Sequence, residues 1–230
     1  MVEGFFLGLS STEVFAISCA YFAMLYVMIC VPVAWLANHG GQVSWLQKIV
    51  SVDVPKGQTR SEIFSSLVSI LMFGFIGVFN QFGVKQGFLA IEYHPGALQV
   101  ALEVMALFFW NDIHFYIIHR ILHFRPLFKS IHFAHHRSRV VSPYSAFRMH
   151  WLEALLLGTV MPTAMLMHKF GVWSLLSLPV MSLVLNALGH SNLTLGSFTR
   201  RHAAHHQVVT GNYGFLLPWF DQWFQTGVRE

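Results

Sequence analysis

Five long apolar runs limit this chain to folds that have a lipid bilayer as their solvent. They cover residues 14–36, 63–84, 97–118, 152–167 and 170–188, and the first, second and last contain no Asp, Glu, Lys or Arg. A helix of about 20 apolar residues crosses the hydrocarbon core of a bilayer. The sequence therefore predicts an all-α integral membrane protein with four to five transmembrane helices, the last two being short.

The composition agrees with a bilayer environment. Hydrophobic residues make up 55% of the chain and charged residues only 10%, whereas about 25% of an ordinary soluble domain is charged. The length of 230 residues suits a single membrane-embedded domain over residues 1–230. Within it, we expect residues 1–96 to supply the N-terminal membrane helices and residues 97–230 to form the region that carries the histidine motifs.

The basic residues predict the orientation of these helices. If the runs cross the membrane alternately, Lys85 and Lys169 lie on one side and the other 12 of the 14 Lys and Arg residues lie on the opposite side. The positive-inside rule makes the basic side cytoplasmic, and most histidines fall on that side. The formal charge of +4 is therefore a topology signal. No nucleic-acid-binding motif is visible, so we expect no nucleic-acid partner.

Eight histidines occur in three closely spaced sets. His119 and His123 are four residues apart, and the motifs HFAHH and HAAHH each carry three more histidines. Such spacing places the side chains of each set on one helix face, where we expect them to converge on one point. A neutral imidazole is the commonest metal ligand in proteins. A set of nitrogen ligands suits iron, zinc, copper or nickel, and eight histidines exceed the about four to six ligands of one such ion. The sequence therefore predicts two metal ions.

Other kinds of protein also place histidines beside a membrane. Interfacial histidines without a metal are one alternative, but three such sets on one membrane side argue against it. A metal transporter is another, although transporters usually bind their cargo near the bilayer midplane. A bis-histidine haem protein needs isolated axial histidines rather than HxxHH clusters.

The order of the motifs resembles the fatty acid hydroxylase/sterol desaturase superfamily of integral-membrane di-iron oxygenases. HRILH is followed after eight residues by HFAHH and later by HAAHH, and DIHFYIIHRILH resembles the family's D-x-x-x-Y-x-x-H-R-x-x-H segment. SAFRMHWLEAL resembles its H-P-L-E segment, with Trp151 in place of the usual proline. GHSN and the tail HHQVVTGNYGFLLPWFDQWFQT also resemble family segments, so the likeness covers about residues 108–228.

This resemblance implies a bundle of membrane helices with a cytoplasmic helical cap that holds two iron ions. Zinc can replace the irons in a purified sample. The GHSN match adds a ninth histidine to the implied ligands, and some family members have a further histidine where this chain has Asn186. The implied metal ligands are His119, His123, His132, His135, His136, His190, His202, His205 and His206.

Further polar residues near the motifs are candidates for a supporting or catalytic role. Asp112 and His114 lie within the third apolar run, where ionisable groups are costly and usually functional. We expect Asp112 and Glu153 to accept the second N–H of a ligand imidazole, and Glu153 alternatively to bind metal directly. His150 and Asn186 complete these candidates.

The resemblance also implies a reaction. A family member uses O2 and two external electrons to hydroxylate an unactivated C–H bond of a lipid, which is sterol-like, acyl, ether-linked or isoprenoid. The electrons come from a separate donor of the ferredoxin or cytochrome type with its reductase. Desaturation by the same centre is the alternative within the family. Membrane metal binding or transport is the alternative outside it.

Overall fold

Helices account for most of the chain. The computed structural model describes residues 2–39 and 46–228. Residues 1, 40–45, 229 and 230 of the expected domain therefore lie outside the described residues. The helices are α1 Val2–Gly8, α2 Ser11–His39, α3 Gln58–Gln86, α4 Ala97–Leu122, α5 Arg125–Leu127, α6 Phe133–His136, α7 Trp151–Gly158, α8 Val160–Met167, α9 Val172–Gly189, α10 Ser197–Val208 and α11 Trp219–Trp223.

Four of these helices, α2, α3, α4 and α9, are long and apolar enough to cross a membrane. Large apolar side chains on them remain exposed, among them Trp35, Phe64, Phe75 and Leu102. Lipid is the solvent that such surfaces require. The prediction of an integral membrane protein with four to five membrane helices is thus confirmed, with four helices that are long and apolar enough.

The fourth apolar run forms two short helices instead of one. Helix α7 ends at Gly158 and α8 begins at Val160, with Thr159 between them. Pro162 has no N–H to donate to the carbonyl of Gly158, so the hydrogen-bond ladder is interrupted there. The Thr159 hydroxyl donates to the Leu156 carbonyl at 2.6 Å. The pair α7–α8 spans Trp151–Met167 and is shorter than the four long helices.

Helices α2 and α3 pack closely through small residues. A Cβ atom added to Gly74 would lie 2.5 Å from Cys19 Sγ, and one added to Gly77 would collide with Ser18 Oγ. Close backbone approach through small residues is typical of membrane helix pairs. Beside this contact, a core cluster that includes Ile70 and Phe73 joins α2, α3, α7 and α9.

The loops gather at two opposite ends of the bundle. At one end, Ile91–Glu92 (β1) pairs in parallel with Phe170–Gly171 (β2). This two-residue sheet departs from the predicted all-α fold, and it forms because the loops before α4 and before α9 lie side by side. At the other end, Lys48 pairs with Leu193, and Gln58 Nε2 donates to the Val140 carbonyl at 2.8 Å. This second end carries the histidine motifs.

A short helical unit follows α4 at the histidine end. It consists of α5, a π-helical turn over Phe128–His132 and α6. A 3₁₀ turn over Pro143–Phe147 then leads to α7. Together with α10, these elements place side chains over the ends of α4, α7 and α9.

Candidate metal centre

Nine histidines converge at one end of the bundle, and they are the nine that the sequence singled out. They form two groups, and within each group one ring nitrogen of every member lies within 4.8 Å of those of the others. The first histidine group is His119, His123, His132, His136 and His205, and the second histidine group is His135, His190, His202 and His206.

Each HxxHH motif is divided between the two groups. In HFAHH, the fourth residue, His135, belongs to the second group, whereas His132 and His136 belong to the first. HAAHH is divided in the opposite sense, because its fourth residue, His205, joins the first group. The expectation that each motif converges on one point is therefore wrong. Neighbouring helix residues project about 100° apart, so the fourth and fifth positions of one motif face different centres.

Backbone carbonyls determine which nitrogen of several imidazoles faces inward. Nδ1 of His119 lies 2.8 Å from the Tyr213 carbonyl, and Nδ1 of His205 lies 2.7 Å from that of Gly211. A carbonyl oxygen only accepts hydrogen bonds, so each Nδ1 carries the proton and Nε2 keeps its lone pair. Sequence reasoning missed these partners, since backbone carbonyls leave no signal in residue types.

His135 and His190 show most directly that the site fits a cation. Nδ1 of His135 donates to the Arg148 carbonyl at 3.0 Å, and Nδ1 of His190 donates to the Asn186 carbonyl at 2.8 Å. Their Nε2 atoms, both hydrogen-bond acceptors in these tautomers, face each other 3.4 Å apart. Two facing lone pairs repel, and a cation that both nitrogens could bind would remove the repulsion.

Other ring nitrogens in the two groups are also buried without a hydrogen-bond partner. Nε2 of His205 and both ring nitrogens of His206 are buried without a hydrogen-bond partner. Buried polar atoms usually have partners, and an absent ion is one accepted reason for an exception. The all-nitrogen set suits a first-row transition metal rather than calcium or magnesium.

Burial keeps these imidazoles neutral. Desolvation lowers the pKa of His132, His190 and His205 from the ordinary value of 6.5 to about 3. The same cause lowers the pKa of His135 to about 4. At neutral pH their ring nitrogens are therefore available for metal binding, which requires the unprotonated imidazole.

Glu153 lies beside the first group. Its Oε1 accepts the Nδ1–H of His132 at 2.8 Å, and its Oε2 is buried without a partner. This is the kind of contact that the sequence suggested for Glu153. Asn186 also lies close to the histidines. Its side-chain amide donates to the Ala146 carbonyl at 2.8 Å, and its backbone carbonyl accepts the Nδ1–H of His190.

The remaining candidate residues lie apart from the imidazoles. Asp112 Oδ1 accepts from the backbone N–H of Leu216 at 2.9 Å, so the expectation that it accepts from a ligand imidazole is wrong. Asp112 precedes His119 by seven residues and lies about 10 Å further along α4. His114 Nε2 is 2.9 Å from the Thr159 hydroxyl. His150 directly precedes α7 and caps its N-terminus, where its Nδ1 accepts from the backbone N–H of Leu152 at 3.3 Å.

Glu62 is a buried carboxylate near the site that sequence reasoning missed. It accepts from the Ser138 hydroxyl at 2.6 Å and from the Ser142 hydroxyl, and it lies 3.9 Å from the Arg148 guanidinium. Arg148 also provides the carbonyl that orients His135. The one sequence signal for Glu62 is an isolated carboxylate directly before the second apolar run.

An apolar cavity of about 380 Å³ occupies the interior of the bundle. Phe115, Met149, Leu157 and Asn186 line this cavity and also a small void beside the histidines. That void is bordered by Glu153 and by members of both histidine groups. The volume lies within the range of about 300–1,000 Å³ that is typical of small-molecule sites.

Comparisons with known proteins point to lipid-modifying enzymes. Methylsterol monooxygenase 1 of Rattus norvegicus is 28% identical over 52% of this chain and 44% of its own length. Delta(7)-sterol 5(6)-desaturase of Candida glabrata is 25% identical over 56% of this chain and 37% of its own. Sphinganine C4-monooxygenase 2 of Arabidopsis thaliana is 25% identical over 74% of this chain and 67% of its own.

The chain thus spans less than half the length of the rat and Candida glabrata relatives. No solved structure matches it. The family model for fatty acid hydroxylase matches residues 104–226, more than half of the 230 residues. The resemblance carried by the histidine motifs is therefore confirmed, and the chain belongs to the fatty acid hydroxylase family.

Proposed function

We propose that this chain is a membrane-embedded oxidoreductase that hydroxylates an unactivated C–H bond of a lipid. The observation that carries this proposal is that members of both histidine groups border a small void whose wall shares four residues with the apolar cavity. Only the shared wall residues separate a lipid in the cavity from this void. The relatives support the reaction class, because they are named as lipid monooxygenases and desaturases.

The nine histidines are the proposed ligands of two iron ions. When bound, such a centre would supply the conversion of a C–H bond to C–OH with O2, two electrons and two protons, with the second oxygen atom released as water. The residues of the chain hold the imidazoles in one tautomer through the Tyr213, Arg148 and Asn186 carbonyls. Glu153 orients His132, and the apolar cavity wall keeps bulk water from the reacting carbon.

The substrate is proposed to be a sterol-like, acyl, ether-linked or isoprenoid lipid. Desaturation is the second candidate reaction, and the desaturase relative from Candida glabrata favours it. In that case, the same oxidation removes two hydrogens from neighbouring carbons and adds no oxygen to the product. The mass of the product therefore separates the two reactions, since only hydroxylation adds one oxygen atom from O2.

The histidine end is proposed to form a cytoplasmic cap, because the basic residues are concentrated there. In this arrangement, residues 1–96 supply membrane helices and residues 97–230 form the catalytic region of a single domain. Exposed Arg125 and Lys129 lie at this end. They suit an acidic donor of the ferredoxin or cytochrome type, which would receive its electrons from a reductase.

Iron-57 incorporation tests the proposal. Protein from cells grown on this isotope is expected to hold two irons per chain, with a coupled diferric Mössbauer signal, and to consume O2 once reduced and given a lipid substrate. His135→Ala and His205→Ala are expected to lose iron and turnover. His94→Ala removes an exposed histidine at the opposite end and serves as the control.

Zinc in the purified protein does not decide the question, so iron is added to metal-free protein under anaerobic conditions. One ion or none per chain after this treatment would contradict the proposal. Normal turnover in His135→Ala or His205→Ala would contradict the assignment of these ligands. Two bound ions without O2 consumption would favour metal binding or transport instead.

A further inference from the structure

A buried amide interrupts the apolar wall of the central cavity. Asn80 lies on α3, lines the cavity and is only 6% exposed. Its Oδ1 is buried without a hydrogen-bond partner. Its Nδ2 lies 3.2 Å from the sulfur of Met161, and a thioether is a weak acceptor. Both polar atoms of this side chain are therefore poorly satisfied by the protein.

Several other polar side chains of the cavity wall are already bonded to the protein. The Tyr21 hydroxyl donates to the Leu176 carbonyl at 2.6 Å, and the Ser182 hydroxyl donates to Asn111 Oδ1 at 2.8 Å. Because an unpaired amide buried in an apolar wall is costly, the unpaired Oδ1 of Asn80 indicates a position that a ligand completes.

We propose that Asn80 binds a hydroxyl group of the lipid that occupies this cavity. A hydroxyl both donates and accepts, so it can satisfy Oδ1 and Nδ2 together. The described residues that line the cavity include no Asp, Glu, Lys or Arg. A carboxylate or phosphate head group would therefore have no charged partner there, and the ligand class is a neutral hydroxylated lipid.

The position of Asn80 also implies a distance between the bound hydroxyl and the carbon that reacts. Asn80 contacts Met161, which follows Glu153 by eight residues along α7 and α8. At 1.5 Å per helical residue, this spacing corresponds to at most about 12 Å along the path of the two helices. Glu153 borders the void beside the histidines. The bound lipid therefore extends from a hydroxyl at Asn80 to a carbon at the histidine groups, an inference that rests on the proposed function.

A binding assay with two probes of equal chain length tests the hydroxyl site. The whole chain in phosphatidylcholine nanodiscs is titrated with 1-dodecanol and with dodecane, in competition with radiolabelled 1-dodecanol. The ratio of the two affinities is compared between the wild type and Asn80→Leu, which keeps the branched arrangement of side-chain heavy atoms but has no polar atoms. Partitioning into the bilayer is the same for both proteins and cancels from this comparison.

In Asn80→Leu, the preference for 1-dodecanol over dodecane is expected to fall about threefold to tenfold, as for one lost neutral hydrogen bond. Dodecane binding should stay unchanged, which reports an intact cavity. Ser177→Ala removes a hydroxyl that donates to the Ser174 carbonyl outside the cavity wall and should keep the wild-type preference. An equal preference in the wild type and Asn80→Leu would overturn the proposal, as would an equal fall in Ser177→Ala.

The assay requires neither iron nor turnover. If Asn80→Leu keeps the wild-type preference and the protein binds two irons, only the hydroxyl site is rejected and the proposed function stands. If Asn80→Leu loses the preference for 1-dodecanol but the protein never binds iron, the hydroxyl site is supported and the proposed oxygenase reaction is rejected.

Discussion

At the scale of single residues, Glu153 orients His132, one of the proposed metal ligands. It lies in the first turn of α7 and accepts the Nδ1–H of His132 at 2.8 Å. A carboxylate in this position holds the ring orientation of a metal-binding histidine and makes its other nitrogen a stronger ligand. The partner of Glu153 is 21 residues earlier in the chain, so only the fold brings the two together.

Replacing Glu153 by Gln keeps an acceptor for His132 but removes a carboxyl group that can ionise. We expect iron affinity to fall about 10–100-fold, as for other residues that orient a ligand, and turnover to fall with it. Iron affinity is measured by competition with a chelator, and turnover by O2 consumption. The thermal stability of the metal-free protein should change little.

Glu92→Gln is the matched control, because Glu92 pairs with Lys169 at the end of the bundle away from the histidines. It should leave iron affinity unaltered. Unchanged iron affinity and kinetics in Glu153→Gln would show that Glu153 has a purely structural role.

At the scale of elements, α3 holds the segment that orients His135. Glu62 on α3 accepts hydrogen bonds from Ser138 and lies 3.9 Å from Arg148, whose carbonyl accepts the Nδ1–H of His135. Glu62 and Arg148 are both buried. A membrane helix is thereby connected to the second histidine group through two side chains and one carbonyl.

Glu62→Ala leaves the buried Arg148 guanidinium without its carboxylate. We expect this change to destabilise the metal-free protein by about 3–5 kcal/mol, the usual cost of removing one partner of a buried ion pair. Iron is expected to be lost first from the second histidine group, since His135 loses its orientation. Thermal unfolding and iron stoichiometry measure these effects.

Ser61→Ala provides the comparison, because it removes a weaker contact of the same guanidinium, 3.3 Å from Ser61 Oγ. This variant should lose less than about 1 kcal/mol. Equal melting temperatures in Glu62→Ala and Ser61→Ala would mean that Glu62 does not hold the segment in place.

At the scale of the whole molecule, the histidine end concentrates buried neutral bases. Burial holds the pKa of His132, His190 and His205 near 3, whereas each titrates near 6.5 when exposed. Between these values, the unfolded chain binds more protons than the folded protein. The free energy of unfolding therefore falls as the pH drops below 6.5, by up to about 1.4 kcal/mol per pH unit for each such histidine.

We expect the metal-free protein in detergent to melt at a clearly lower temperature at pH 5.5 than at pH 7.5. Between pH 7.5 and 8.5 these histidines are neutral in both states and contribute no further change. Burial raises the pKa of Glu153 to about 8, so this carboxyl loses its proton there and lowers the free energy of unfolding slightly. Ferrous ion should raise the melting temperature at pH 7.5, because it binds the folded state, and less so at pH 5.5, where protons compete for the imidazoles. A melting temperature independent of pH from 5.5 to 7.5 would contradict the burial of neutral histidines.

Much of this architecture could be predicted from local patterns. The apolar runs identified the four long membrane helices, because a span of about 20 residues needs only hydropathy along the chain. The spacing within HRILH, HFAHH and HAAHH, with GHSN, identified the nine histidines and the family. The break at Thr159 was not predicted, because periodicity alone does not show where a helix is interrupted.

The amino-acid sequence by itself determined the membrane helices, the histidine set and the family membership, since these depend on residue types and on spacings of a few positions. Only the tertiary structure decided how each HxxHH motif divides between two groups, why Asp112 bonds to the tail, and how Glu62 supports His135. It also decided that Asn80 faces a cavity. These features depend on contacts between distant parts of the chain, such as His119 with the Tyr213 carbonyl 94 residues away, and local patterns carry no information about such contacts.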